Sequence, residues 1–482
     1  VKATIKVNVI DLPGFGPTKQ DTVKDLAILT GATVINEELG DDLDGISLNV
    51  LGEVEKSVTD SRNTFISGGI DGNNYQKFRT ANDSFSFYGN HASSNNLHIE
   101  CNRKLRDPSA FYHVVIAFDS TQATSTNRIK LYVNGVQETS MNNATYPAED
   151  AICYFNAAST SDIFVGAFGR QDDTIGEQGE GYFAEVCVID GLALDPTSFG
   201  EYSETTPNLW IPKDVSGLTF GNNGFYLDFE DSSNLGNDVN GGTDLTAVSL
   251  AAADQATDTP SNNFCTMSPI ASLDSPVMSE GNCYMTNDGG SEHAVSTFAA
   301  SSGRWYFEVK VTVQNSANAL VAGISDVYMS QKELAEGWLG MDTGQYGYVG
   351  ADGKIYHADD GGTAYGDVIT TNDILGVYVD LEDNKLYFAK NGTVQNSGTG
   401  HTITAAASTT GGAYQFVTGD WFTTTSNVDY GVNFGGCPAF AISSGNADDN
   451  GYGNFEYSPN ITGDGSAKSF YALNSANLAE FG

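Results

Sequence analysis

The feature that most constrains this chain is a short alternating run that enters an Asn-Gly pair and leaves again: Arg128 to Gln137, RIKLYVNGVQ. Asn134 and Gly135 tolerate the two successive positive φ values of a type I′ turn, whose twist matches right-twisted strands on either side. The run is therefore a β-hairpin. The phrase returns at Asn384 to Gln395, NKLYFAKNGTVQ, with Asn391 and Gly392 at the turn. Two all-β modules built around one kind of hairpin are expected, and neither copy carries obvious chemistry.

Composition agrees. A chain of 482 residues is too long for one ordinary core. Gly, Ser, Thr, Asn and Asp punctuate it, aromatics are plentiful, and helical periodicity is scarce after the opening segment, a profile of sandwiches rather than bundles. Sixty-one acidic against 22 basic residues give a formal charge of -39, spread along the chain. Nucleic acid is excluded as a partner, because affinity there rests on Lys and Arg neutralising phosphates. Anionic membranes are disfavoured for the same reason, and no apolar run approaches the roughly 18 residues that suggest a bilayer span. The chain opens on Val1 with no secretory signal, as expected of a processed chain or part of a longer one.

Six cysteines, at 101, 153, 187, 265, 283 and 437, are too sparse for a disulfide framework. Cys101, Cys153 and Cys187 lie in strand text, where a thiol acts as a small apolar group. Only Cys265 and Cys283 are placed for a local bridge, and two free thiols are the expectation for them.

Residues 1–62 read as α/β text. VKATIKVNVIDL alternates as a strand, PGFGP turns, and Thr18 to Thr30 is amphipathic with Gly31 as its stop. From Phe65 the text becomes strands and turns: FISGG, YQKFRT, SFSFYG, LHIEC, FYHVVIAFD, IKLYVNGVQ, DIFVGAFG and GYFAEVCVID. Residues 241–300 are rich in Pro, Ser and Asp and are expected as a linker or wrapping segment. Strand text restarts with RWYFEVKVTV, ALVAGISD, GQYGYVGADGKIYH and DILGVYVDLEDNKLYFAKNG, and ends at VDYGVNFGG. The expected class is mainly β: a small α/β segment (1–62), one antiparallel sandwich (63–240), the wrap, a second sandwich (301–450) and a C-terminal extension (451–482).

Family resemblances attach to these motifs. Pro13-Gly14-Phe15-Gly16, Asp25 to Gly31, Thr33-Val34-Ile35, Glu37-Glu38 and Leu51-Gly52, in that order, resemble the later part of the apical domain of group I chaperonins. The phosphate-binding Asp-Gly-Thr-Thr-Thr and the Gly-Gly-Gly turn of that family are absent, so the resemblance implies a fold for a cap or docking module, or the remnant of a recombination, and no ATPase. Tyr112-His113-Val114, then KLYVNG, then Gly181 to Leu194 resemble the concanavalin or laminin-G-like jelly roll. The order WYFEV, VAGISD, YGYVGADGKIYH, the KLYFAKNG pair and the closing NFG resembles the SPRY fold, a bent antiparallel sandwich used for binding. NGFYLDFEDSSNLGND and the final FYALNSANL resemble a group of bacteriophage virion proteins. That likeness implies a tail fibre, spike or capsid-decorating protein on the virion's extracellular surface, associated with other virion proteins, a homo-oligomer (fibres of this sort are commonly trimers), and a host surface glycan or protein as ligand.

A glycan hydrolase on a concanavalin-like fold needs two neighbouring carboxylates on inward strand positions. No Glu-x-Asp-x-x-Glu strand occurs. Glu177 and Glu180 sit in Gly-rich loop text, and Glu185 lies on the expected closing strand with neighbours facing away. A depolymerase is thus the alternative, a purely structural shell protein another, and a non-enzymatic binding protein the leading expectation. The histidines 91, 98, 113, 293, 357 and 401 lack a second His or Cys at metal spacing. His113 and His357 are expected to fill polar positions beside aromatic strands. Calcium is the candidate cation, with Asp119, Asp172 and Asp173 in loops at strand ends, against the ordinary reading of Asx turns. Trp338, Tyr346, Tyr348 and Trp421, placed in loops of the second module, are the candidate ligand anchors, with core packing as the alternative.

Overall fold

The structure is a computed structural model. It describes residues 64–482, apart from the segments 92–93, 106, 108–109, 156–161, 172–174, 180, 204–208, 273–275, 287–291, 315–318, 329–337, 422–427 and 437–438. The chaperonin-like text at 1–62 lies outside the described residues.

Alternation writes the first sandwich. Strands β1 (Thr64–Asp71), β2 (Asn74–Ala81), β3 (Ser84–His91) and β4 (Ser94–Cys101) run as an up-and-down meander. The β2–β3 turn is Asn82-Asp83, both residues at positive φ as a tight hairpin demands. Strands β5 (Val114–Phe118), β6 (Ile129–Val133) and β7 (Val136–Gln137) form a second, three-stranded sheet. Strands β8 (Met141–Thr145) and β9 (Asp162–Val165) return to flank the meander, giving the order β8-β4-β3-β2-β1-β9. Phe78, Phe85, Phe87, Leu97 and Ile99 from one sheet meet Ile129, Leu131 and Val133 from the other in a single core.

The second sandwich is larger and tighter. One sheet places β10 (Tyr284–Thr286), β19 (Val428–Asn433), β12 (Arg304–Gln314), β16 (Ile374–Asp380) and β17 (Lys385–Lys390) side by side. The other runs β11 (His293–Ala300), β18 (Tyr414–Trp421), β13 (Ala319–Asp326), β14 (Gln345–Val349) and β15 (Lys354–Tyr356). Trp305, Phe307, Val309 and Val311 of β12 point between the sheets to meet Leu320, Ala322, Ile324 and Phe416.

Period-2 alternation should leave the other face of β12 in water, yet Tyr306 and Glu308 are buried there too. The C-terminal extension covers them. Phe455, Ile461, Phe470 and Ala472, with Phe264, build a second core on Tyr306, Tyr378 and Tyr387. The chain then closes with helix α1 (Ser475–Phe481), whose first turn is capped by the Asn474 side chain accepting from Asn477 N.

Two expectations change here and one holds. The 241–300 stretch is not all linker, since β10 and β11 from within it pair into both sheets of the second sandwich. Its earlier part does wrap: Gln255 Nε2 donates to Phe229 O at 2.8 Å and Thr257 Oγ1 to Gly435 O at 2.7 Å. Cys265 and Cys283 are both buried free thiols, as expected. The strand expected across Gly181 to Leu194 shrinks to Val186–Val188, because Glu185 before it takes a left-handed backbone (φ 56°) that ends strand geometry.

Candidate functional site: a polar cleft on the first sandwich

Strand β6 spells I-K-L-Y-V, and its alternation decides the site. Ile129, Leu131 and Val133 enter the core, so Lys130 and Tyr132 must face outward. On β5 the register pairs Ala117 with Lys130 and Val115 with Tyr132, which puts these four on the same outer face. Ala117 has only a methyl group to offer beside Lys130, and the space it leaves is a cleft of about 230 Å³. Asp119, Gln122 and Asn127 wall one side, and Ala193, Leu194 and Asp195 the other.

Both walls are braced. Arg128 Nε donates to Gln122 O at 2.8 Å and its Nη2 to Ala123 O at 3.2 Å, which fixes the loop from Asp119 to Asn127. Asp195 caps the short 3₁₀ turn Pro196–Ser198 by accepting from Thr197 N at 2.9 Å. Beyond it the hairpin of Gly200–Tyr202 and Trp210–Pro212 lays the Trp210 indole against Gly135. Any Cβ at Gly135 would collide with that ring, so this residue is glycine both for its φ of 78° and for the indole. Trp210 Nε1 in turn donates to His113 Nδ1 at 3.0 Å, and burial holds His113 below its ordinary pKa, so the ring is the neutral acceptor this bond needs.

Two of the four anchors expected in the second sandwich land elsewhere. Tyr346 and Tyr348 lie on strand β14 instead of in loops and are 3% and 0% exposed, because their positions alternate into the inter-sheet core. Tyr346 bonds Thr404 Oγ1 at 3.1 Å and stacks flat on His357, ring centres 4.2 Å apart, while Tyr348 donates to Asp367 O at 2.5 Å. Trp338 is half-buried, edge-on to Tyr356 at 5.3 Å. Trp421 ends β18, and its side chain lies outside the described residues.

Of the candidate calcium ligands, Asp172 and Asp173 lie outside the described residues. Asp119 forms an Asx turn: it accepts from Thr121 Oγ1 and Gln122 Nε2, each at 2.6 Å, and these bonds hold its carboxyl below the ordinary range. Among the described residues no three His, Cys, Asp or Glu side chains converge as metal ligands.

Glu177 and Glu185, two of the carboxylates weighed for hydrolysis, have different partners. Burial pushes Glu177 up, but the Lys77 ammonium at 2.6 Å, with Arg79 and Thr64, outweighs it and holds the carboxyl below its usual value. Glu180 lies outside the described residues. Glu185 accepts from the Tyr226 hydroxyl, and burial together with Asp228, Glu230 and Asp214 raises its pKa.

Sequence reasoning missed Lys130, Tyr132, Asn127, Gln122 and Asp195. For the first two the signal was present, since the strand alternation already assigned them to the face opposite the core.

Comparison with known proteins bears on both halves of this picture. A model of the concanavalin A-like lectin/glucanases superfamily matches residues 54–170, which includes strands β5 and β6 of the cleft. The SPRY domain model matches residues 304–418. The chaperonin GroEL of Carsonella ruddii (strain PV) is 41% identical over 69 residues at the N-terminal end, 14% of this chain and 13% of that protein. The SPRY domain of human HERC1 covers 36% of this chain and 99% of its own, at 14% identity and a TM-score of 0.29. The chain is thus mainly β and carries a concanavalin-like and a SPRY domain, types that suggest a binding or protein-interaction role.

Proposed function

We propose that this chain is a non-enzymatic bacteriophage virion protein, a tail fibre, spike or capsid-decorating protein, that binds a host surface glycan or protein from the outside of the particle. The observation that carries the binding role is the cleft. It offers an aromatic ring (Tyr132), amides (Asn127, Gln122), carboxylates and an ammonium on braced loops, the mixture of flat apolar face and convergent polar groups that sugars and peptides are held by. Loops on a rigid sandwich can vary without disturbing the core, which suits a recognition surface. The virion assignment is supported by the NGFYLDFEDSSNLGND and FYALNSANL phrases, and with it come other virion proteins as partners and a homo-oligomeric, commonly trimeric, state. For the SPRY domain the reading is contact with a partner protein through the half-buried Trp338. Neither nucleic acid nor a membrane is a partner on this reading, given the charge of -39.

The non-enzymatic reading draws on Glu177, which is committed to Lys77, and on Glu185, whose left-handed backbone takes it off the strand and whose carboxylate accepts from Tyr226. A glycan array and a host-cell adsorption assay with the full chain test the proposal. Wild type is expected to bind both and Tyr132→Ala to lose the array signal. Release of reducing ends from host polysaccharide, abolished by Glu185→Gln, would replace binding with hydrolysis. Blank arrays and cells, with the chain on every lattice site of imaged virions, would leave a shell protein instead. ATP turnover by the purified chain would reinstate a chaperonin-like activity.

A further inference from the structure

Among the described residues Lys130 is the one cationic side chain lining the cleft, and its ammonium forms neither an ion pair nor a hydrogen bond with them. That is unlike its neighbours in the same sandwich: Lys77 pairs with Glu177, Arg103 with Glu138 and Arg128 with Glu149. It also lies in a cleft with two carboxylates, yet neither neutralises it. Asp119 spends both oxygens on Thr121 and Gln122, and Asp195 turns to the Thr197 amide and hydroxyl at 2.9 and 2.5 Å. A half-buried ammonium held away from the acids that line its own site is arranged for an anion brought by a ligand.

We propose that the cleft takes a saccharide bearing a carboxylate, with that carboxylate against Lys130 Nζ and a ring face on Tyr132. The inference rests on the saccharide-binding reading above and names its substrate class. A sugar acid matches the remaining groups in sign: its hydroxyls donate to the free lone pairs of Asp119 and Asp195 and accept from the Asn127 amide. The chain's overall negative charge does not forbid this, because charges beyond about 8 Å are screened at physiological salt, and only the immediate surroundings of Lys130 count. The same two carboxylates disfavour densely sulfated chains, for which a single ammonium offers too little compensation.

The test is calorimetric titration of the full chain with trigalacturonate (a hexuronate), sialyllactose (a nonulosonate) and neutral maltotriose. One of the two carboxylated probes is expected to bind roughly tenfold or more tightly than maltotriose. Which one does so identifies the source of the acid. Lys130→Met should remove that advantage, Lys130→Arg should restore most of it, and added salt should weaken the carboxylated probe alone. An unchanged thermal midpoint shows that Lys130→Met is folded. Equal binding of all three probes, or a carboxylate advantage that survives Lys130→Met, would overturn the carboxylate assignment while leaving saccharide binding in place. Binding of none of the three, with the glycan array also blank, would remove both.

Discussion

At Asn134-Gly135 the turn lies under Trp210, and at Asn391-Gly392 it lies under Tyr457, an aromatic from a far later stretch of chain in each case. The parallels go deeper. Both Asn residues have φ 47°, and the glycines follow at 78° and 76°. Asn134 Oδ1 accepts from His113 N at 2.9 Å, and Asn391 Oδ1 accepts from Ile374 N at 2.8 Å, so each Asn side chain pins the start of the preceding strand. What differs is the sheet around the turn. In the second sandwich the C-terminal extension seals the outer face, burying Tyr306, Tyr378 and Tyr387. In the first, the Trp210 hairpin covers only part of the outer face, and the uncovered remainder is the cleft. One turn thus serves two ends: a closed scaffold where the cover is complete, a binding face where it is not.

The largest expected effect concerns the seal. Glu308 accepts from Tyr306 Oη at 2.9 Å, Asn433 Nδ2 at 3.1 Å and the backbone amides of Glu456 and Tyr457 at 3.0 and 2.8 Å. Glu308→Ala leaves all four donors without this acceptor and should cost about 3–5 kcal/mol, read as a lowered denaturant midpoint. Among the described residues no comparable buried carboxylate bonds to the Trp210 hairpin, so a loss of that size confined to the second sandwich sharpens the contrast. Burial pushes the Glu308 carboxyl from 4.5 up to about 7 despite these donors. Between those values the folded chain keeps a proton that the unfolded chain has released, so the contribution of this group is full below 4.5 and is lost as pH rises through 7. Asp258 and Asp420, also raised to about 7 by burial, add slopes of the same sign. The comparison is therefore wild type against Glu308→Gln, whose stability profile should be flatter over that window.

Trp210→Ala comes next. The half-buried indole bridges Gly135, Gly200 and His113, and its loss should cost about 2–3 kcal/mol and weaken saccharide binding, since the wall carrying Asp195 leads into its hairpin. A variant destabilised but unaltered in binding would detach the cleft from its cover. Smaller still, Gly135→Ala and Gly392→Ala should each cost about 1–2 kcal/mol from the left-handed backbone, with additional loss as the ring above is displaced. Similar values at the two sites, in thermal unfolding of single variants, would confirm that the turns are physically equivalent.

Much of this was legible in the sequence. The Asn-Gly pairs announced both hairpins, and RWYFEVKVTV announced a strand with one core face. The same alternation rule, had it been applied to IKLYV, would put Lys130 and Tyr132 outside, but it cannot tell that Ala117 and the 193–195 segment leave a cleft beside them, because that depends on pairing across long sequence separation. Tyr346 and Tyr348 misled for the complementary reason. In YGYVG an aromatic beside glycine reads equally as loop anchor or buried strand, and only the opposing sheet decides. The seal on β12 is hidden in the same way, since strand alternation alone would put Glu308 in solvent and the backbone amides of Glu456 and Tyr457 that cover it come from the far end of the chain.

Hydrogen exchange of the full chain with and without saturating saccharide, using the tightest probe of the calorimetric series, tests the central contrast most directly. The account predicts added protection at 117–132 and 193–195, with the sheets of the second sandwich already protected and unchanged. Protection gained instead around Trp338 and Tyr356, with strands β5 and β6 unaffected, would contradict it.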